Sequence, residues 1–286
     1  MSLWYIILFI LNYRKGFIMK RPTLHKLIFS ILLFAISFLA LFTSHKSSAF
    51  ADWYSSTIYP LFVSSIGRFF GIFQFSVSEI GLYIFVILLF LSLVRMLISS
   101  IYKMYAKKKN PAWLGYGSSL LLLCGCLFTI YTFFCGINYG HTSFAEKYHL
   151  ESGQYTQAEL TDQLNALSDS LDRDSDGLAD MGKDLQDRAR AAMFSLGAAY
   201  PELSGYYPQP KGLLFPAFLS VQNLSGIYSP FTIEANYNSA MVSYNLPFTI
   251  CHELSHLRGF MQEEEANFIG FLACVNADDT AFNYSG

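Results

Sequence analysis

The chain has 286 residues, of which 53% are hydrophobic and only 14% charged, with a net charge of −2. Soluble domains carry about a quarter charged residues, so this balance points to a membrane protein and argues against a purely soluble enzyme. The small net charge hides a split, +10 over residues 1–140 against −12 over residues 141–286, which reads as a basic, apolar anchor carrying an acidic folded domain and argues against nucleic acid as a partner.

Residues 1–26 form a basic N-terminal stretch. Within it Met1–Ile10 is apolar but too short to cross a bilayer. Met19-Lys20-Arg21 has the form of a natural start, so the first eighteen residues read as an extension. Residues 27–43 are an uncharged run of 17, just long enough to cross. A cleaved signal peptide is the rival reading, with Lys20, Arg21 and Lys26 as its basic region and Ala49-Phe50-Ala51 as its small-x-small site. Residues 44–79 then lie outside. Between Ile58 and Phe75 they mix Leu61, Phe62, Ile66, Phe69, Phe70 and Phe73 with a lone Arg68, which suits either an amphipathic segment in the outer interface or part of a packed bundle. A second span covers residues 80–101 if Arg95 snorkels to the interface. Residues 102–111 are a basic loop with Lys103, Lys107, Lys108 and Lys109, and residues 112–139 are uncharged and long enough for a third span. The positive-inside rule puts both basic clusters in the cytoplasm and residues 140–286 on the other side.

In the acidic half, Thr156 with Glu159 forms a capping box that opens a helix through about Leu171, and a second helix runs from about Met181 to Leu196. Asp172-Arg173-Asp174-Ser175-Asp176-Gly177, with Asp180, copies the opening of a calcium loop. Lys183 stands where that loop needs a bidentate glutamate, which favours a solvated linker. Tyr200–Pro216 is rich in Pro, Gly and Tyr and reads as a loop bordering a cleft. Ile227–Tyr237 reads as a strand, with Phe231–Tyr237 either an edge for an extended peptide or a core strand. Pro247 suits the first turn of a helix that Gly259 ends, and Glu263–Ala277 forms the next. The stop at Gly286 is abrupt, as if further helices followed. Asn223-Leu224-Ser225 and Asn283-Tyr284-Ser285 are glycosylation acceptors only in a eukaryotic secretory host. None of the five cysteines has disulfide-framework or thiolate-zinc spacing. Cys251 should point into the core, with a Cys251–Cys274 bridge as the alternative.

The most informative stretch is His252-Glu253-Leu254-Ser255-His256. Histidines four apart on a helix project from one face and can grip a single ion, with Glu253 beside the open coordination position. A zinc site of this kind needs a third protein ligand. On an antiparallel hairpin His256 lies about one turn before the bend and Glu265 about one turn after it. Glu265 also shares the apolar stripe of Phe268, Ile269 and Leu272, which makes it the expected ligand, with Glu263 and Glu264 facing solvent. The bland reading, two ordinary helix histidines, does not account for the intervening glutamate and the facing carboxylate. Glu253 is the expected general base for a water activated by zinc (Zn2+), and Tyr206, Tyr237 and Tyr244 are candidate oxyanion donors.

Leu246–His256 followed by Glu264–Cys274, with the upstream Trp53-Tyr54-Ser55, Tyr59-Pro60 and Glu234-Ala235-Asn236, resembles a bacterial membrane family known as domain of unknown function 3810. The resemblance implies a gluzincin-type zinc metallopeptidase in which His252, His256 and Glu265 match the ligand positions and Glu253 the base. Glu265-Ala266-Asn267 is also similar to the Glu-Ala-Asp of membrane-bound prenyl-protein and heat-shock peptidases, with Asn267 where those have an acid. The expected fold is mainly α: transmembrane helices followed by a zincin-like, α-rich extracytoplasmic domain with a small edge strand or sheet. The expected function is a multi-pass cell-membrane metalloendopeptidase acting on peptides or proteins. One rival is a non-catalytic sensor or scaffold with structural zinc. The other is a transport component, against which stands the near-absence of charge in the spans.

Overall fold

A computed structural model of the chain describes residues 21–106, 112–150, 153, 155–174 and 184–286. Three of its helices are long and apolar enough to cross a membrane: α1 (Arg21–Lys46), α2 (Val77–Tyr105) and α3, whose apolar part is Trp113–Phe134. The protein is therefore membrane-associated and mainly helical. α3 as a whole runs Ala112–Phe134. The expected third span reached residue 139, but Cys135 leaves helical geometry and Gly136–Gly140 form a 3-10 turn. Gly136 lets this turn sit close against α1: a Cβ there would lie 2.7 Å from Leu41 Cδ2, so Leu41 would have to shift.

α1 and α3 pack along a seam of small side chains. Ser30, Ser37 and Ser44, seven residues apart, are buried on α1. Ser37 Oγ lies 3.0 Å from Thr129 Oγ1, and Phe128 packs on Phe34 and Phe38. Hydroxyls and small residues allow such close approach where lipid supplies no hydrophobic drive. α2 stands further off, and its apolar window has no buried residue.

From Ser48 to Phe70 the chain is helical but widened by π-turns at Tyr54–Ile58 and Val63–Gly67. The first π-turn brings Tyr54 and Tyr59, five apart, to the same face. Both are buried, as is Val63. Tyr59 Oη donates to the Leu257 carbonyl at 3.0 Å and sits 2.8 Å from Tyr228 Oη. The inner face is thus packed on the domain, while Leu61, Phe69 and Ile72 stay exposed.

After α3 a single helical turn at Phe144–Lys147 precedes α4 (Gln157–Asp174), whose expected capping box is formed: Thr156 N donates to Glu159 at 2.7 Å and Glu159 N to Thr156 Oγ1 at 3.3 Å. α5 spans Leu185–Leu196. The calcium-like stretch has Ser175–Lys183 outside the described residues. Strands β1 (Lys211–Gly212), β2 (Gly226–Ser229) and β3 (Glu234–Tyr237) form one sheet in the order β1-β3-β2. β1 runs parallel to β3, and β2 antiparallel with Tyr228 opposite Ala235. The expected single strand Ile227–Tyr237 is therefore a hairpin, turned at Pro230–Ile233 with Ile233 at φ 52°. Phe231 lies in the turn and β3 runs buried in the sheet centre, so of the two readings of Phe231–Tyr237 the core strand holds for Glu234–Tyr237, while β1 and β2 are the edges.

The last three helices are α6 (Leu246–Leu257), α7 (Glu263–Val275) and α8 (Thr280–Ser285). Pro247 sits in the first turn of α6, and Gly259 at φ 109° ends the helix where a side chain would be strained. Ile250, Leu254 and Leu257 of α6 form the core with Met193 of α5, Ile233, Ile269 and Ala273. Gly270 lets α7 close on α6; its Cβ would lie 3.1 Å from His252 N. Cys251 and Cys274 are buried free thiols, so no bridge joins them.

Candidate metal centre

α6 presents His252 and His256 one turn apart, with ring centroids 4.6 Å apart and planes at 89°. After the short bend at 258–262, α7 starts on Glu263, and its carboxylate reaches both rings. Glu263 Oε2 lies 3.4 Å from His252 Nε2, and Oε1 3.6 Å from His256 Nε2. One donor atom from each of the three falls within 4.8 Å of the others. Bonds of about 2.0–2.1 Å in a tetrahedron give donor spacings of about 3.4 Å, and each nitrogen–oxygen spacing, through its own carboxylate oxygen, is close to that of ligands sharing a first-row cation.

The surroundings favour that use. His256 Nδ1 lies 2.8 Å from the Phe260 carbonyl, which fixes Nδ1–H as donor and leaves the Nε2 lone pair facing Glu263. Burial, then the neighbouring His256, pushes His252 down to about 4 against the pull of Glu263 and Asn267. Burial also lowers His256, opposed by the Phe260 carbonyl and Glu263. Both imidazoles are therefore neutral near pH 7, the form that ligates. Glu253 is buried, and its Oε2 has no hydrogen-bond partner in the fold. Burial, and secondarily the Glu263 charge, holds its carboxyl well above the usual range. Gly226, the first residue of β2, lies against this side chain. A Cβ there would overlap Glu253 Oε1 and lie 2.6 Å from its Cγ.

The structure brings His252, Glu253 and His256 together as expected and places Glu265 elsewhere. Glu265 accepts from Phe144 N at 2.5 Å, and its Oε2 lies 3.7 Å from His141 Nε2. Burial raises its carboxyl while the Phe144 amide and His141 pull it down. Two residues along a helix is about 200° of rotation, so Glu263 and Glu265 cannot face the same partner. Because the bend is short, the first residue of α7 stands opposite the histidines. Glu263 is 75% exposed and Glu265 6%. The apolar-stripe argument selects the buried carboxylate, whereas a ligand on an open cleft is the exposed one. No spacing in the sequence singles out Glu263, because its place opposite the histidines depends on how many residues the bend takes.

None of the three candidate oxyanion tyrosines lines the cleft. Tyr237 Oη accepts from Gln186 at 2.8 Å, Tyr206 stacks under Arg68 and Tyr244 packs on Tyr284. The cleft holds about 810 Å³, with the metal-site residues on one side, Ser225–Tyr228 on another, and Tyr131, Cys135 and Tyr139 from the end of α3 on a third. The expected border, Tyr200–Pro216, contributes nothing to it.

Neither the curated proteins nor the solved structures gave a match. The model of one family covers most of the chain, residues 54–286, including every element of the centre, and the chain belongs to that family, described as Protein of unknown function (DUF3810).

Proposed function

We propose that the chain is a membrane-anchored zinc metallopeptidase whose extramembrane domain is zincin-like. The observation that carries this reading is the convergence of His252, His256 and Glu263 beside an unpartnered, buried Glu253. Two imidazoles and one carboxylate are a donor set that suits zinc and leaves a position open for catalysis. Zinc held there would supply a Lewis acid that acidifies water and polarises a carbonyl. Glu253 then takes the proton from the attacking water and returns it to the leaving amine. Gly226 holds the Glu253 carboxylate in place, and the outer edge of β2, unpaired in the sheet, supports an extended peptide by strand addition. Tyr139, on the cleft wall beside Glu263, is the candidate oxyanion donor. Positive charge at the start of α1 and the end of α2 supports a multi-pass topology with this domain outside the cytoplasm. Because the end of α3 forms one wall, the cleft opens at the bilayer surface, within reach of polypeptides that emerge from it.

The purified full chain should contain about one zinc per molecule and cleave peptides from a random library. Glu253→Gln should keep the metal and abolish cleavage. Full activity in that variant overturns the mechanism, a wild type without metal overturns the site, and metal without turnover hands the centre to a structural role.

A further inference from the structure

We propose that the groove between α1, α2 and α3 at their basic end is a binding site for one anionic phospholipid, independent of the metal centre. The groove holds about 770 Å³, and three cations from two helices, Lys26, Arg95 and Lys103, line it with no acidic residue among its walls. Lys26 Nζ donates to Ser119 Oγ at 2.7 Å. Ser92 Oγ and Tyr116 Oη, 3.2 Å apart, add hydroxyls to the same surface. Among the described residues no carboxylate pairs with Arg95 or Lys103, and the only acid on α2, Glu79, sits at its opposite end.

Depth decides what the cations meet. Arg95 lies ten residues before the end of α2 at Tyr105, which is about 15 Å along the axis. A guanidinium at that depth costs several kcal/mol unless solvated or paired. Lys103, two turns nearer the end, stands at headgroup level. A phosphodiester between them would accept the planar guanidinium in bidentate fashion and the ammonium as a point charge. Beyond Arg95 and the Ser92 hydroxyl the walls become apolar through Leu89, Leu88 and Phe85, the last lying ten residues in from Arg95 and about 15 Å deeper. That length suits an acyl chain and gives a free phosphate nothing to hold. The occupant is therefore a lipid with a net negative headgroup, in the leaflet that carries the basic ends of the helices.

Full-length protein in neutral detergent would be titrated with phosphatidylglycerol, with phosphatidylcholine of the same chains and with inorganic phosphate, and bound lipid counted by native mass spectrometry. We expect phosphatidylglycerol to bind roughly tenfold tighter than phosphatidylcholine, the effect of one to two cations near a headgroup. Arg95→Gln with Lys103→Gln should weaken both lipids but phosphatidylglycerol more, so that the preference is lost, and millimolar phosphate should not displace the lipid. Equal binding of the two lipids by the wild type, a preference that survives in the double variant, or displacement by inorganic phosphate would each overturn the site. The wild-type comparison decides even if the double variant does not fold, and Lys103→Gln alone, near the helix end, gives a milder second test.

Discussion

At the centre, two glutamates separated by one residue have opposite fates, and a single exchange at each distinguishes them. Glu263→Gln removes the carboxylate between the two Nε2 atoms, so we expect zinc affinity to fall by at least 100-fold, more than losing an outer partner costs. Glu265→Gln should leave zinc stoichiometry intact and lower stability only, since Glu265 receives the Phe144 amide. Metal titration of both variants checks this, and the reverse pattern would return the ligand role to Glu265. Gly226→Ala tests the position of the base. Its new Cβ must displace the Glu253 side chain or β2, and an ångström of misplacement can cost about 100-fold in rate. We expect turnover to collapse with zinc retained; unchanged turnover would mean that Glu253 does not need this support. His252, Glu253 and His256 were legible because helical spacing alone puts the imidazoles on one face. Glu263 was not, since its place depends on the number of residues in the bend, and burial, the criterion that usually marks a functional carboxylate, points to its neighbour.

Elements were legible where their ends carry chemistry of their own. Pro247, Gly259 and the Thr156–Glu159 box mark helix ends by a missing donor, a positive φ and reciprocal hydrogen bonds, and the structure has all three. The hairpin at Pro230–Ile233 was illegible because its left-handed residue is Ile233, a β-branched side chain that gives no sign of a turn. The docking of α8 on α5 was equally hidden, as its partners are 91 residues apart. Asp279 accepts from Arg188 Nε and Nη2 at 2.6 Å each and also caps α8 through Ala281 N and Phe282 N. Burial raises the Asp279 carboxyl, but the Arg188 contacts and the two amides outweigh it, so the folded state holds it below the usual range. A depressed carboxyl adds stability that is fully present above its unfolded value and is lost as pH falls through the folded one. We therefore expect the melting temperature in detergent to drop below about pH 4, and Asp279→Asn to be less stable at pH 7 by about 1–3 kcal/mol with a flatter acid limb. An acid limb identical to that of the wild type would remove Asp279 from this role.

On the scale of the molecule, anchor and domain share one interior. Glu234 of β3 accepts from Val77 N at 3.2 Å and Ser78 N at 2.7 Å, capping the first turn of α2, and also pairs with the buried Lys211. In return Glu79 of α2 accepts from Leu214 N and Phe215 N, both at 2.8 Å. Each partner thus satisfies the other's unpaired amides, and the sheet that positions Gly226 over Glu253 is fixed to a membrane helix. The charge asymmetry of the sequence suggests instead an anchor and a separable acidic domain, because composition registers which residues are polar but not which surfaces they bury. Tyr54, Tyr59, Val63 and Ile137, all upstream of residue 140, are 0–4% exposed in the core beside α6. Burying four such side chains is worth about 1.5–3 kcal/mol each, a total comparable with the whole stability of about 5–15 kcal/mol that a domain possesses. A fragment of residues 140–286 should therefore lack a cooperative thermal transition and expose its core to a hydrophobic dye, whereas the full chain melts cooperatively in detergent. If that fragment instead melts cooperatively and binds one zinc, the upstream helices are only a tether; if it fails as expected, the catalytic reading has to be tested on the intact membrane protein, because the floor under Leu257 and Tyr228 comes from the segment that follows the first span.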